Sequence, residues 1–326
     1  MENIKLTVSS TPHTRANNSV DDIMLDVILA LMPAAFAGVY YFGPRALAVL
    51  LVSVISCVAF ESIYELFARK KNTVKDLSAV VTGMLLAFTL PVTAPYYAIV
   101  IGAFVSIIIT KQLFGGLGQN FMNPAMVGRA FLLASFPTQM TTYVFGRVGL
   151  FDSNIDALTG ATPLSTEYTM PLPTNFELFL GKFSDGTPIA GCIGETCALA
   201  ILIGLIYLVA RRVISLRIPI SYIASVMIMA MIFKGDVNSC GGHPVMAVLS
   251  GGVLFGAVFM ATDYVTTPTT PVGQIIFGIG CGVVTSIIRM WGGYPEGVTY
   301  AILLMNVITP LLDKWTKPKA FGAAKS

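Results

Sequence analysis

Apolar runs, each broken after about twenty residues by proline, glycine or charge, dominate this chain and leave it few ways to fold. A run of that length crosses the hydrocarbon core of a bilayer as an α-helix, because a helix satisfies its backbone hydrogen bonds internally. Only 11% of the 326 residues are charged and 55% are hydrophobic. A soluble domain carries roughly 25% charged residues, so this composition, with a mean hydropathy of +0.77, excludes a soluble enzyme. The net charge of +3 gives no electrostatic footprint for nucleic acid. Residues 1–22 are polar and the first apolar run is long enough to span, so no cleavable signal peptide is expected.

The runs number about ten and divide five and five. The first group covers 23–42, 46–67, 77–90, 95–112 and 122–136; the second covers 189–210, 218–233, 244–262, 272–290 and 297–312. The expected fold is an all-α polytopic membrane protein of about ten transmembrane helices. Its parts are an N-terminal tail 1–22, a first repeat 23–136, a loop 137–188, a second repeat 189–312 and a tail 313–326. Five crossings per half reverse the second unit, so the repeats are inverted. A shift of 178 residues lays Ile101, Gly102, Val105, Ile109 and Gly115 on Ile279, Gly280, Val283, Ile287 and Gly293, and Lys111 on Arg289. The run before Pro91 is short for a span, and shortened helices often line a site.

Basic residues set the orientation, since short loops rich in Lys and Arg stay cytoplasmic. One side holds 14 of the 20, among them Lys5, Arg69, Lys70, Lys71, Lys75, Arg211, Arg212, Arg217 and Lys314. The other holds Arg45, Arg147, Lys182 and Lys234, with Arg129 and Arg289 inside or at the ends of spans. Both termini are therefore expected in the cytoplasm and the 137–188 loop outside. Glu61, Glu65, Arg129 and Asp263 sit in or beside apolar runs, where charge is costly enough to raise a functional question. Glu61 and Glu65, one helical turn apart, could equally face Arg69 near the interface.

The five cysteines form no CxxC pair, and only His13 and His243 could join them, which argues against a zinc site. Cys192 and Cys197, placed on a helix, would point to different faces and read as packing residues. Phe176, Leu178, Phe179, Leu180 and Phe183 suggest a short interfacial helix in the outer loop.

One segment of that loop carries chemistry: Asp156-Ala157-Leu158-Thr159-Gly160-Ala161-Thr162-Pro163. Pro163 disfavours helix at Thr162, and Gly160 and Ala161 leave room for a large group to approach its hydroxyl. The segment resembles the Asp-x-x-Ser/Thr-Gly-Ala-Thr flavinylation site of a family of membrane subunits. That family includes the subunit called D in the Rnf ferredoxin:NAD oxidoreductase complex and its counterpart, called B, in the sodium-translocating NADH:quinone oxidoreductase. Four more stretches match that family in order: Gly115 to Ala125, Gly191 to Cys197, Met260 to Asp263 and Gly292 to Val298. Cys192 and Cys197 replace the family's serines, and Tyr264 stands where proline is common.

The resemblance implies an FMN joined through its phosphate to Thr162, with Asp156, Thr159, Gly160, Ala161, Glu195 and Thr196 around it. Glu195 and Thr196 are expected to open the helix after the loop, a carboxylate there offsetting the helix dipole. It also implies a noncovalent riboflavin on the cytoplasmic side, within reach of Asn120 and Asn123. Asn123 before Pro124 reads equally as a helix N-cap. The implied role is that of an electron-transfer subunit in the bacterial inner membrane, coupling electron flow to export of Na⁺ or H⁺. Its implied partners are the other Rnf subunits, including a second FMN-bearing subunit and iron-sulfur subunits, and a flavin transferase. The chain has no cysteine clusters and no dinucleotide fingerprint of its own. Two other readings stay open, the quinone-reductase subunit and a cofactor-free channel or transporter with an inverted repeat.

Overall fold

The computed structural model describes residues 19–68, 76–150, 159–160, 162–164, 172–233, 243–292 and 297–317. Ser19 starts the first helix, α1 (Val20–Phe42). Its hydroxyl accepts from the Asp22 amide, and the Asp22 carboxylate accepts from the Ser19 amide. Gly43, at φ +83°, then turns the chain directly into α2 (Pro44–Ala68). The third helix, α3 (Ser78–Phe88), has 11 residues. At 1.5 Å per residue it is about 16 Å long, roughly half the hydrocarbon thickness. Next comes α4 (Tyr96–Phe104), which winds on into a π-helix, Val105–Gln112, and α5 (Pro124–Ser135) closes the first half.

The segment between the halves holds α6 (Pro137–Met140), a two-stranded antiparallel ladder of β1 (Tyr143–Val144) with β2 (Thr159–Gly160), and α7 (Asn175–Leu180). This last is the short helix expected around Phe176. The second half has α8 (Ala198–Ala210), α9 (Arg217–Phe233), α10 (Pro244–Leu249), and α11 (Val253–Phe255) continued by a π-helix, Gly256–Met260. It ends with α12 (Pro271–Trp291) and α13 (Val298–Trp315). By length and composition α1, α2 and α12 can each cross a membrane, and the remaining apolar helices are shorter. The chain is a helical polytopic membrane protein.

Two expected spans are corrected. The 189–210 run becomes helical only at Ala198, and its first part is a chain of turns, so Cys192 and Cys197 do not share a helix. The 244–262 run breaks at Ser250-Gly251-Gly252, where Gly251 takes φ +67°. Apolar periodicity could not reveal either break, because a buried turn is as apolar as a buried helix.

Packing repeats between the halves. In the first, α2 lies against α3 and α4; in the second, α9 lies against α10 and α12. Counterparts then meet across the molecule, α1 on α8 and α5 on α13. The 178-residue shift aligns α4 and its π-helical extension with α12, the same pairing that the packing makes. At one end of the bundle Asp26 accepts from Arg211 Nε at 3.1 Å and from the Tyr207 hydroxyl at 2.9 Å. At the other, the Tyr41 hydroxyl donates to Leu180 O at 2.6 Å. These are called the basic end and the loop end below.

A buried ion pair marks the basic half. Lys111 Nζ lies 2.5 Å from Glu61 Oε1 and donates to Ser78 Oγ at 2.7 Å, while Gln112 Nε2 donates to the same Glu61 oxygen at 2.9 Å. Two consecutive side chains, at the end of the π-helix, thus converge on one carboxylate. Glu61 turns inward and is paired there; Arg69, its alternative partner, lies outside the described residues.

Candidate functional sites at the two ends of the bundle

The loop end holds a pocket of about 400 Å³, open solvent included, and Thr162 lines it together with Glu195 and Thr196. All three are buried. Residues 33 and 34 apart in sequence, which the resemblance had grouped, thus line one pocket. The local chain explains how. Gly160 pairs with Tyr143 across the β-ladder, and a Cβ there would lie 2.2 Å from the Phe145 ring, so only glycine fits. Thr159 pairs through its backbone with Val144. Asp156, Ala161 and the side chain of Thr159 lie outside the described residues.

Glu195 and Thr196 do not open α8 as expected. They fold back on Cys192: Glu195 Oε1 accepts from the Cys192 amide at 2.9 Å, and Thr196 Oγ1 donates to Cys192 O at 2.9 Å. The turn between them serves the short helix α3. A helix end leaves carbonyls without partners, and the amides of Gly194 and Ile193 donate to Phe88 O and Leu90 O at 2.9 and 3.2 Å. A Cβ on Gly194 would meet Phe88 Cβ at 2.4 Å, so this close approach needs glycine.

Two groups behind the pocket's Glu195 turn and one in its wall were not foreseen as such. Arg129 reaches from α5, donates to Thr89 O, and brings Nη2 to 3.7 Å from Cys192 Sγ, placing a buried cation at the Glu195 turn. Tyr143 is buried beside Cys192, and burial raises its phenol well above the ordinary value. Ser250 and Gly251, from the break between α10 and α11, complete the wall. A basic residue in an apolar run and a Gly-Gly pair in another were the available signals.

At the basic end a larger cleft, about 860 Å³ with open solvent included, is lined by Ser78, Thr82 and Leu85 of α3, by Lys111, Asn120 and Asn123, and by Asp263. The short helix therefore does line a site. Asn123 is the N-cap of α5: its Oδ1 accepts from the amides of Ala125 and Met126 at 3.1 and 3.4 Å, and its Nδ2 donates to Met260 O at 3.3 Å. Asn120 Nδ2 donates to Met122 O at 3.1 Å, and Asn120 lines the cleft. Burial raises the Asp263 carboxyl above its ordinary value, opposed by hydrogen bonds from Thr266 and the Val265 and Tyr264 amides.

Helix α8 joins the two sites. Thr196, just before it, lines the loop-end pocket, and Leu208, near its end, lines the basic-end cleft. Helical rise from Ala198 to Leu208 is about 15 Å.

A model of the NQR2, RnfD, RnfE family matches residues 7–322. The subunit designated D of the Na(+)-translocating ferredoxin:NAD(+) oxidoreductase complex of Acetobacterium woodii is 48% identical over 328 residues, covering 100% of this chain and 98% of the relative. Its namesake in the proton-translocating ferredoxin:NAD(+) oxidoreductase complex of Clostridium ljungdahlii is 44% identical, covering 98% and 97%. The namesake in the ion-translocating oxidoreductase complex of Aliivibrio salmonicida is 35% identical, covering 98% and 99%.

Proposed function

From a chain that belongs to the NQR2, RnfD, RnfE family, we infer an electron-transfer subunit of an ion-translocating ferredoxin:NAD oxidoreductase complex that carries FMN on Thr162. The supporting observation is the burial of Thr162 in one pocket with Glu195 and Thr196, the residues that the motif reading had grouped with it. The names of the relatives favour the ferredoxin branch over the quinone reductase and over a transporter without a cofactor.

The residues present suit the group. Thr162 offers a hydroxyl for the phosphoester, and the glycine at 160 keeps the approach clear of a side chain. Bound there, FMN would supply one-electron and two-electron carrier chemistry, which is the cofactor's own. Arg129 and Glu195 set the charge of the surrounding turn. At the other end, Asn120 and the cleft wall would hold a noncovalent riboflavin, with Asn123 as the structural cap that positions Asn120's turn. Electron flow between the ends is coupled to outward movement of Na⁺ or H⁺, within a complex whose other subunits bring iron-sulfur centres and a second FMN. Both termini and the basic end face the cytoplasm of a bacterial inner membrane; the Thr162 pocket faces out.

Coexpression with a flavin transferase tests this. The denatured chain is expected to fluoresce in gel and to show one FMN adduct by intact mass, and Thr162→Ala is expected to lose the adduct completely. An adduct that survives the substitution, or a wild-type chain left unlabelled by an active transferase, would overturn the reading.

A further inference from the structure

A third pocket, of about 760 Å³ with open solvent included, opens at the basic end beside the cleft already described. Its polar lining is Arg212 and Ser215 from the turn between α8 and α9, Thr262, Tyr264 and Thr267 from the segment before α12, and Gln274 from the first turn of α12. Val209 and Ile218, on α8 and α9, form an apolar wall, and among the described residues no carboxylate lines the pocket. Of the neighbouring cations, Arg211 holds Asp26, and Arg217 donates to Gln274 Oε1 of the pocket lining at 3.4 Å. Ser215 Oγ also donates to that oxygen, at 3.2 Å, which leaves the Gln274 NH₂ group as a donor. The Arg212 side chain has no ion pair or hydrogen bond among the described residues and is exposed.

The backbone adds an independent observation. Arg212 sits at φ +57°, just past the end of α8, with the Arg212 amide donating to Val209 O and the Val213 amide to Leu208 O. Helices end this way on glycine, which takes the left-handed conformation without strain. An arginine there keeps a strained backbone and a free guanidinium at the mouth of an acid-free pocket.

We propose that this pocket binds the phosphate of an anionic phospholipid. Arg212 supplies the counter-charge, the Gln274 NH₂ group donates to a phosphate oxygen, the Ser215 and Thr267 hydroxyls, which donate to Gln274 Oε1 and Asp263 O, form the polar floor, and the acyl chains lie along Val209. The helix ends α8, α9 and α12 meet here, which is where headgroups lie against a membrane protein and where basic residues attract anionic lipid. The pocket shares Tyr264 and Val213 with the neighbouring cleft, and the Tyr264 hydroxyl donates to Val213 O across the partition. A bound lipid therefore braces one wall of that cleft.

The test is native mass spectrometry of the full chain, purified in detergent and offered phosphatidylglycerol or phosphatidylcholine. Wild type is expected to retain one phosphatidylglycerol in preference to phosphatidylcholine. Arg212→Gly should retain about fivefold less, the weight of one basic residue at an anionic surface, while its melting temperature stays equal or rises because glycine suits that backbone. Arg212→Lys should be intermediate, and millimolar glycerol phosphate should not displace the lipid. Equal retention by wild type and Arg212→Gly would overturn the proposal. So would equal retention of phosphatidylcholine, or displacement by glycerol phosphate, which would make the ligand a soluble phosphate.

Discussion

The loop-end pocket and the basic-end cleft are built by opposite means. Around Thr162 the walls are mostly turns, and glycines at 160, 191 and 251 leave room for the Phe145 ring, the Glu195 carboxylate and the Leu164 side chain. Around Asn120 the walls are mostly helix side chains, and the space is about twice as large. For the FMN proposed on Thr162, a covalent tether would replace much of the affinity that enclosure otherwise supplies, so a socket of turns would suffice. A noncovalent ligand needs a deeper, more apolar enclosure with a few placed polar groups. The short helix α3 serves both ends, with Ser78 in the cleft and the Phe88 carbonyl bound to the turn that carries Glu195.

Three substitutions probe this division, beginning with the largest effect. Lys111→Met leaves Glu61 buried and charged without its partner, which costs about 3–5 kcal/mol. Thermal unfolding of the purified chain should show that loss, with riboflavin content falling while FMN labelling of surviving folded chain persists. Pairing it with Glu61→Gln should restore most of the stability. If labelling at Thr162 fell in step with the cleft, the two ends would form one unit.

Gly181→Ala attacks the other end. Gly181 has φ +79°, and a Cβ there would lie 2.4 Å from Thr196 O, a backbone atom that cannot swing away. The expected cost is about 1–3 kcal/mol, with reduced FMN labelling and unchanged riboflavin content.

The smallest effect is at Glu177, which caps α7 beside the pocket. Hydrogen bonds from Ser184 and Thr174 lower its carboxyl to about 2. A depressed folded value means the stabilisation is present above the ordinary carboxylate range and fades as pH falls through about 2. Protease sensitivity of the loop should rise over that acid range in wild type, whereas Glu177→Gln should show the sensitive state already at neutral pH with a flatter profile. An identical profile in both would remove Glu177 from the loop's support.

Much of this was legible in the chain. Apolar run length gave the helices α1, α2, α9, α12 and α13 to within a few residues, because a bilayer permits little else for such a run. Pro91 announced the short α3, and Asn123-Pro124 announced the start of α5. Of the Asp156 to Thr162 motif, Thr162 lies in one pocket, and a hydroxyl between small neighbours and a proline is a pattern local to the sequence. The resemblance, not periodicity, grouped Glu195 and Thr196 with it.

Other features belong to the tertiary structure alone. Arg129 and Glu61 stood out in the sequence only as charges in or beside apolar runs, and Lys111 only as the counterpart of Arg289 in the repeat. Which carbonyl, thiol or carboxylate each one meets depends on packing between helices 40 or more residues apart in sequence. The turn at residues 191–197 and the break at 250–252 were hidden for a similar reason. Hydrophobicity records that a segment leaves water. Whether it leaves as helix or as turn is decided by which neighbours can take up its backbone hydrogen bonds, and here those neighbours are the exposed end of α3 and the Glu195 carboxylate.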